Sequence, residues 1–75
     1  MNWRDIITVD PTVCHGRPCF SGTRIMVSVV LDNMAAGVPT EELLESHPSL
    51  NEAHLQAAIA YAAELAKERV LPIPA

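Results

Sequence analysis

Aromatic residues are scarce: Trp3, Phe20 and Tyr61 are the whole complement, 4% of the 75 residues. The core must therefore be aliphatic, built from Leu, Ile, Val and Ala. Positive charge is scarce too. Five Lys and Arg stand against nine Asp and Glu, for a net charge of −4 and a pI near 5.1. That excludes a globally basic nucleic-acid binder. No apolar run approaches the roughly 20 residues of a membrane span. The start, Met1-Asn2-Trp3-Arg4-Asp5, has no apolar stretch of the signal-peptide kind. A cytoplasmic protein with no membrane partner is expected. In a reducing cytoplasm Cys14 and Cys19 are thiols, and their closeness allows a disulfide on oxidation without requiring one.

What is present is a hydrophobic chain. Hydrophobic residues make up 49% and charged residues 19%, and the mean hydropathy is +0.19. This excludes intrinsic disorder. The length fits one domain over residues 1–75, near the lower limit for a self-supporting core. It leaves no room for a large-pocket enzyme with a cofactor domain, so neither catalysis nor a cofactor is expected. Charge is unevenly spread. Residues 1–24 carry Arg4, Arg17 and Arg24 against Asp5 and Asp10, whereas residues 25–75 carry seven acids against Lys67 and Arg69.

The order of signals predicts a mostly α fold with a small N-terminal β-hairpin. Ile6-Ile7-Thr8-Val9 is a β-branched run that stops at Asp10-Pro11, and it reads as a strand. Gly16 and Pro18 bracket a turn before a second short strand at Cys19-Phe20. Hairpins and turns thus occupy residues 1–25. Three helices follow over 26–69, and 70–75 form a tail. Val27, Val30, Leu31 and Met34 keep helical spacing. Gly37 ends that helix in the left-handed conformation and Pro39 prevents its continuation. Thr40 is placed to cap the second helix, with Glu41 and Glu42 in its first turn and Leu43 and Leu44 inward. The third helix starts near Asn51, with Leu55, Ala58, Ile59, Ala62 and Leu65 expected on the core stripe. Ala53, Ala57 and Ala60 flank that stripe with small side chains. Helix order and turn lengths suggest a three-helix, helix-turn-helix-like domain.

One string is distinctive. Residues 7–25 contain Asp10-Pro11-Thr12-Val13-Cys14-His15-Gly16-Arg17-Pro18-Cys19-Phe20-Ser21-Gly22-Thr23-Arg24-Ile25. With Ala36-Gly37-Val38-Pro39-Thr40, His47-Pro48-Ser49-Leu50 and Ala57-Ala58-Ile59-Ala60-Tyr61-Ala62, it closely resembles a family of short bacterial and archaeal proteins. The family is catalogued as domain of unknown function number four-three-three. The resemblance covers about residues 5–71. It implies a VapB-type antitoxin of helix-turn-helix fold, partnered by a PIN-like ribonuclease toxin. The family usually has Pro after Gly-Thr-Arg-Ile, where this chain has Met26.

The residues themselves offer several candidate sites. Cys14, His15 and Cys19 are three soft donors, and His47 or His54 would have to complete a zinc site. A plain turn with two small thiols explains them without a metal, and no metal is expected. Cys14 and His15 are adjacent, so on a strand they face opposite ways, which argues against a nucleophile pair. For DNA, Arg4, Arg17 and Arg24 would contact phosphates, and Asn51, His54 and Gln56 would face the bases from the third helix. Arg24 has the competing role of tying down the hairpin. For a protein partner, Lys67, Arg69, Val70, Leu71 and Ile73 stand at the carboxyl-terminal end. There the apolar, Pro-rich tail would dock in a groove.

Together with what the resemblance implies, these features lead to one main expectation, an antitoxin that binds and inhibits a PIN-like ribonuclease. Lys67 or Arg69 would reach the nuclease's metal-binding carboxylates. DNA-binding autoregulation would be a second activity. The alternatives are a stand-alone helix-turn-helix DNA-binding regulator with no toxin partner, and a hairpin-mediated oligomer with neither role. A homodimer or higher oligomer is expected, because the core is small and hairpin edges invite pairing.

Overall fold

The β-branched run near the start becomes a shorter strand than its sequence suggests. The computed structural model describes residues 2–68, so the expectations on Arg69, Val70, Leu71 and Ile73 lie outside the described residues. Trp3–Asp5 forms a single 3-10 turn, and the Asn2 side-chain oxygen accepts the Arg4 N–H at 3.0 Å. Strand β1 is then only Ile7–Thr8, and Val9 is 61% exposed. It pairs antiparallel with β2 (Cys19–Phe20), Ile7 opposite Phe20 and Thr8 opposite Cys19.

Two-residue strands are not stable alone, and this hairpin is held from a third side. Cys19 bridges Met26, the Phe20 N–H donates to the Ile25 carbonyl at 3.1 Å, and the Val27 N–H donates to the Pro18 carbonyl at 3.0 Å. Both edges of β2 are therefore occupied. The Gly-Thr-Arg-Ile string makes this return. Gly22 takes φ +77°, a left-handed value that suits glycine. The Thr23 hydroxyl donates to the Phe20 carbonyl at 2.8 Å and accepts the Ile25 N–H at 3.1 Å.

Helix α1 (Val27–Ala35) follows at once. Met26 has φ −72°, close to the value to which proline is locked, so the chain enters the helix here as a proline would direct it. The helix ends as expected. Gly37 has φ +86°, the Gly37 N–H donates to the Met34 carbonyl, and the Val38 N–H donates to the Asn33 carbonyl, both at 3.0 Å. This double bond pattern satisfies the last carbonyls of the helix.

Helix α2 (Thr40–Ser46) differs in its start. Pro39, not Thr40, is the capping residue, extended at φ −61° and ψ 144°, and no side chain caps the helix. The proline ring sets that geometry one residue early, so Thr40 is already helical. Glu41 and Glu42 occupy the first turn, where negative charge is favourable. Leu43 is buried and Leu44 half-buried. After residues 47–51 comes α3 (Glu52–Glu68).

The core is aliphatic around one aromatic ring. Phe20 and Val30 have no exposed surface, and Ile7, Val27, Leu50, Leu55, Ala57 and Ala58 pack with them. The face α3 turns inward is rotated from the expected stripe. Leu55 and Ala58 are buried as expected, but Ala57 is fully buried while Ile59 is 44% and Leu65 41% exposed. The N-terminal turn causes the rotation. Trp3 lies edge-on against Tyr61, ring centroids 5.1 Å apart, so the helix presents its Ala57–Tyr61 side to the core and Ile59 points out.

Phe20→Ala should lower unfolding free energy by about 3–5 kcal/mol, much of the roughly 5–15 kcal/mol of a small domain. Val9→Ala should change it by under about 0.5 kcal/mol. Urea melts of the two variants check this, and equal midpoints would contradict the core described above.

Candidate functional site

The connection between β1 and β2 is long and built from local bonds. The Asp10 carboxylate accepts the Thr12 N–H at 2.8 Å and the Thr12 hydroxyl at 2.7 Å. The Val13 N–H closes on the Asp10 carbonyl at 2.9 Å. Cys14, His15 and Gly16 then take left-handed φ values of 52°, 56° and 78° in succession. For the two residues with a Cβ, this costs on the order of 1–2 kcal/mol each. The turn is closed by Gly16 N–H to Val13 carbonyl and Arg17 N–H to Cys14 carbonyl, each 3.1 Å.

The Cys14 and Cys19 sulfurs are bonded to each other across this turn, so the oxidised form is the one seen here. The Cys14 sulfur also lies 3.3 Å from the Arg24 carbonyl. A thiol at Cys14 could donate there, whereas the disulfide sulfur carries no proton to donate. His15 is exposed. Among the described residues no three His, Cys, Asp or Glu side chains stand close enough together to hold a metal.

Folding this connection beside the Gly22 turn creates an open cleft of about 390 Å³, lined by Thr8, Asp10, Val13, Gly22, Thr23 and Arg24. One carboxylate, one guanidinium and two threonines make it polar and of mixed charge. The Thr12 N–H, and after it the Thr12 hydroxyl, hold the Asp10 carboxyl below its ordinary value of 3.8. Asp10 is thus ionised through the neutral range.

The second region is the start of α3. The Asn51 side-chain oxygen accepts the Ala53 N–H at 2.9 Å and the His54 N–H at 3.4 Å. His54 Nδ1 accepts the Asn51 N–H at 3.0 Å. Nδ1 also lies 3.1 Å from Asn51 Oδ1; the two contacts call for opposite ring tautomers, and the amide donor favours the one with its proton on Nε2. The His54 ring also stands edge-on to Phe20 with centroids 5.4 Å apart. Asn51 and His54 are therefore engaged in capping and packing, while Gln56 is exposed. Gln56 lines a groove of about 160 Å³ with Met34, Thr40, Glu52, Leu55 and Ile59.

The expected cations sit on separate elements. The Arg4 guanidinium lies 4.5 Å over the Trp3 ring, Arg17 follows the left-handed turn exposed, Arg24 lines the cleft, and Lys67 is exposed at the end of α3. Sequence reasoning missed Asp10 as a cleft residue. Its Asp-Pro-Thr spacing is nonetheless a legible Asx-turn signal. It also missed the groove at Ile59, which periodicity assigned to the core.

Asp10, with its folded-state value depressed, contributes stability that is present above its unfolded value and is lost as pH falls through the folded one. Thr12→Val should move the Asp10 titration part of the way back up, because the stronger backbone bond remains. Carbon-detected NMR titration of the carboxyl reads this, and an unmoved midpoint would exclude the hydroxyl's part.

Comparison with known proteins places these features in a family. The family model described as "Protein of unknown function (DUF433)" matches residues 7–62. Uncharacterized protein y4eO from Sinorhizobium fredii (strain NBRC 101917 / NGR234) is 39% identical over 59 residues, 79% of this chain and 27% of that protein. This chain thus spans about a quarter of that relative's length. The crystal structure of a DUF433 member protein from Anabaena variabilis ATCC 29413 superposes with a TM-score of 0.78 at 31% identity, over 87% of this chain and 64% of that one. The matched span runs from β1 through the core-facing half of α3, and the chain belongs to the DUF433 family of proteins of unknown function.

Proposed function

We propose that this protein is a cytoplasmic antitoxin that works by binding: it covers the RNA groove of a PIN-like ribonuclease and blocks its acidic, metal-dependent site. The observation that carries this reading is the acidic surface of the helical part. Glu41, Glu42, Glu45 and Glu52 are all exposed, along α2 and at the start of α3. A ribonuclease must present positive charge to its substrate's phosphates, and an acidic helical surface complements it. The resemblance to VapB-type antitoxins supports the same partner. Lys67 is exposed at the far end of α3, where it would reach the nuclease carboxylates and stand in for metal charge. Arg69 and the apolar Val70, Leu71 and Ile73 would extend that contact.

Autoregulation on operator DNA is the second reading, favoured by the exposed Arg4, Arg17 and Arg24. With Asn51 and His54 engaged in the α3 cap, base readout would fall mainly to Gln56. Such binding would be weak and would fall steeply with salt.

Affinity capture from the native host, with mass spectrometry of the retained chains, should recover a small nuclease whose activity on RNA is suppressed in the complex. Combined Glu41→Lys, Glu42→Lys and Glu45→Lys replacement should weaken inhibition at least about tenfold, since like charges would then meet across the interface. All three positions are exposed, so the fold should survive. Recovery of duplex DNA and no nuclease, or inhibition indifferent to the charge reversal, would overturn the antitoxin reading.

A further inference from the structure

The outer face of α3 carries an ordered pattern that the fold does not use. Glu52, Gln56, Ile59, Ala63 and Lys67 succeed one another at steps of four, three, four and four residues, which keeps them on one side of a helix. Glu52, Gln56, Ala63 and Lys67 are exposed, and Ile59 is 44% exposed in their midst. An acid stands at one end and a base at the other, about 22 Å apart along the axis and about 60° apart around it. The midpoint of Glu52 and Lys67 falls between Ile59 and Ala60, and so does the midpoint of Gln56 and Ala63. The pattern is therefore its own complement when read in the opposite direction.

We propose that α3 is a homodimer interface in which a second copy of this chain packs its α3 antiparallel on the first, about a two-fold axis between Ile59 and Ala60. In that register Glu52 of each copy faces Lys67 of the other, Gln56 faces Ala63, and Ile59 faces Ala60, so the two Ile59 side chains flank the axis. The groove beside Ile59, walled by Met34, Thr40 and Leu55, supplies the depth. The small side chains of Ala63 and Ala66 on the partner helix, both exposed, are of a size to enter it. β2 offers no free edge to a second copy, because it is bonded on both sides. Helix-dipole preference alone also puts an acid first and a base last. It does not require both to share one exposed side, with the one large aliphatic residue of that side seven residues from the acid and eight from the base. Glu52 and Lys67 also belong to the proposed nuclease contact, so the two interactions would compete there; the dimer is tested on the isolated chain and stands or falls without the nuclease.

Sedimentation equilibrium of the full chain at micromolar to 100 μM loading should give about twice the 8.1 kDa chain mass. Ile59→Glu should give the monomer with an unchanged circular dichroism spectrum, because the side chain lies outside the core. Glu52→Lys alone and Lys67→Glu alone each put like charges together at both ends, and each should weaken self-association about 3- to 10-fold. An equimolar mixture of those two single variants restores both ion pairs in the heterodimer and should regain the wild-type dissociation constant. Parallel helices would set position 52 against position 52 and position 67 against position 67, also complementary in the mixture. The double variant Glu52→Lys/Lys67→Glu separates the cases when mixed with wild type: antiparallel pairing predicts repulsion at both ends, parallel pairing attraction. A wild-type monomer at 100 μM, an Ile59→Glu dimer, or attraction in that last mixture would overturn the proposal.

Discussion

Burial of Phe20 is the constraint on which the other parts depend. Its ring has no accessible surface, and it is the only phenylalanine in the chain. Three pieces of backbone are arranged to close over it. Ile7 pairs with it across the two-stranded ladder. The turn through Gly22 and Thr23 returns hydrogen bonds to its carbonyl. His54 brings the start of α3 edge-on to its ring. Full burial of one such side chain is worth roughly 1.5–3 kcal/mol, a sizeable share in a domain of this size.

The second aromatic contact decides the rotation of α3. Trp3 sits against Tyr61, and Ala57 and Ala58 beside it have no exposed surface. Alanine is suited to this place because its small side chain lets neighbouring backbone come close. The consequence is that Ile59 and Leu65 face outward. Both are exposed singly on the helix surface, as large aliphatic side chains often are. Charge follows the same division. Arg4, Arg17 and Arg24 stand in the N-terminal part, whereas Glu41, Glu42, Glu45 and Glu52 stand on α2 and at the start of α3, so the two parts of the chain differ in charge.

At the start of α3, stability claims the residues that a DNA-reading surface would need. Asn51 and His54 have the donors and acceptors that would suit base edges, but their side chains complete the helix cap. An unfilled cap would leave helix N–H groups without partners, so the local backbone claims these side chains first. The loop before β2 shows the reverse arrangement. Its left-handed Cys14 and His15 are unfavourable locally and are held by the bonds that close the turn and by the Cys14–Cys19 pairing.

Much of the fold was legible from local chemistry. The change from β-branched residues to helical spacing at Val27, the glycine stop at Gly37 and the cap at Asn51 each act over a few residues, so their outcome does not wait on distant contacts. The Asx turn at Asp10 and the returning turn at Gly22 and Thr23 are of the same kind. Tertiary structure alone decided the rest. Whether Ile59 or Ala57 faces the core depends on where Trp3 lands, some fifty residues away in the chain. Periodicity cannot see that, because both residues fit a helix equally well. That the β2 edges are closed depends on Met26 and Ile25 returning beside it. That Asp10 and Arg24 line one cleft depends on the same return. Local spacing sets which elements form, whereas long-range packing chooses which of their faces remain open to a partner.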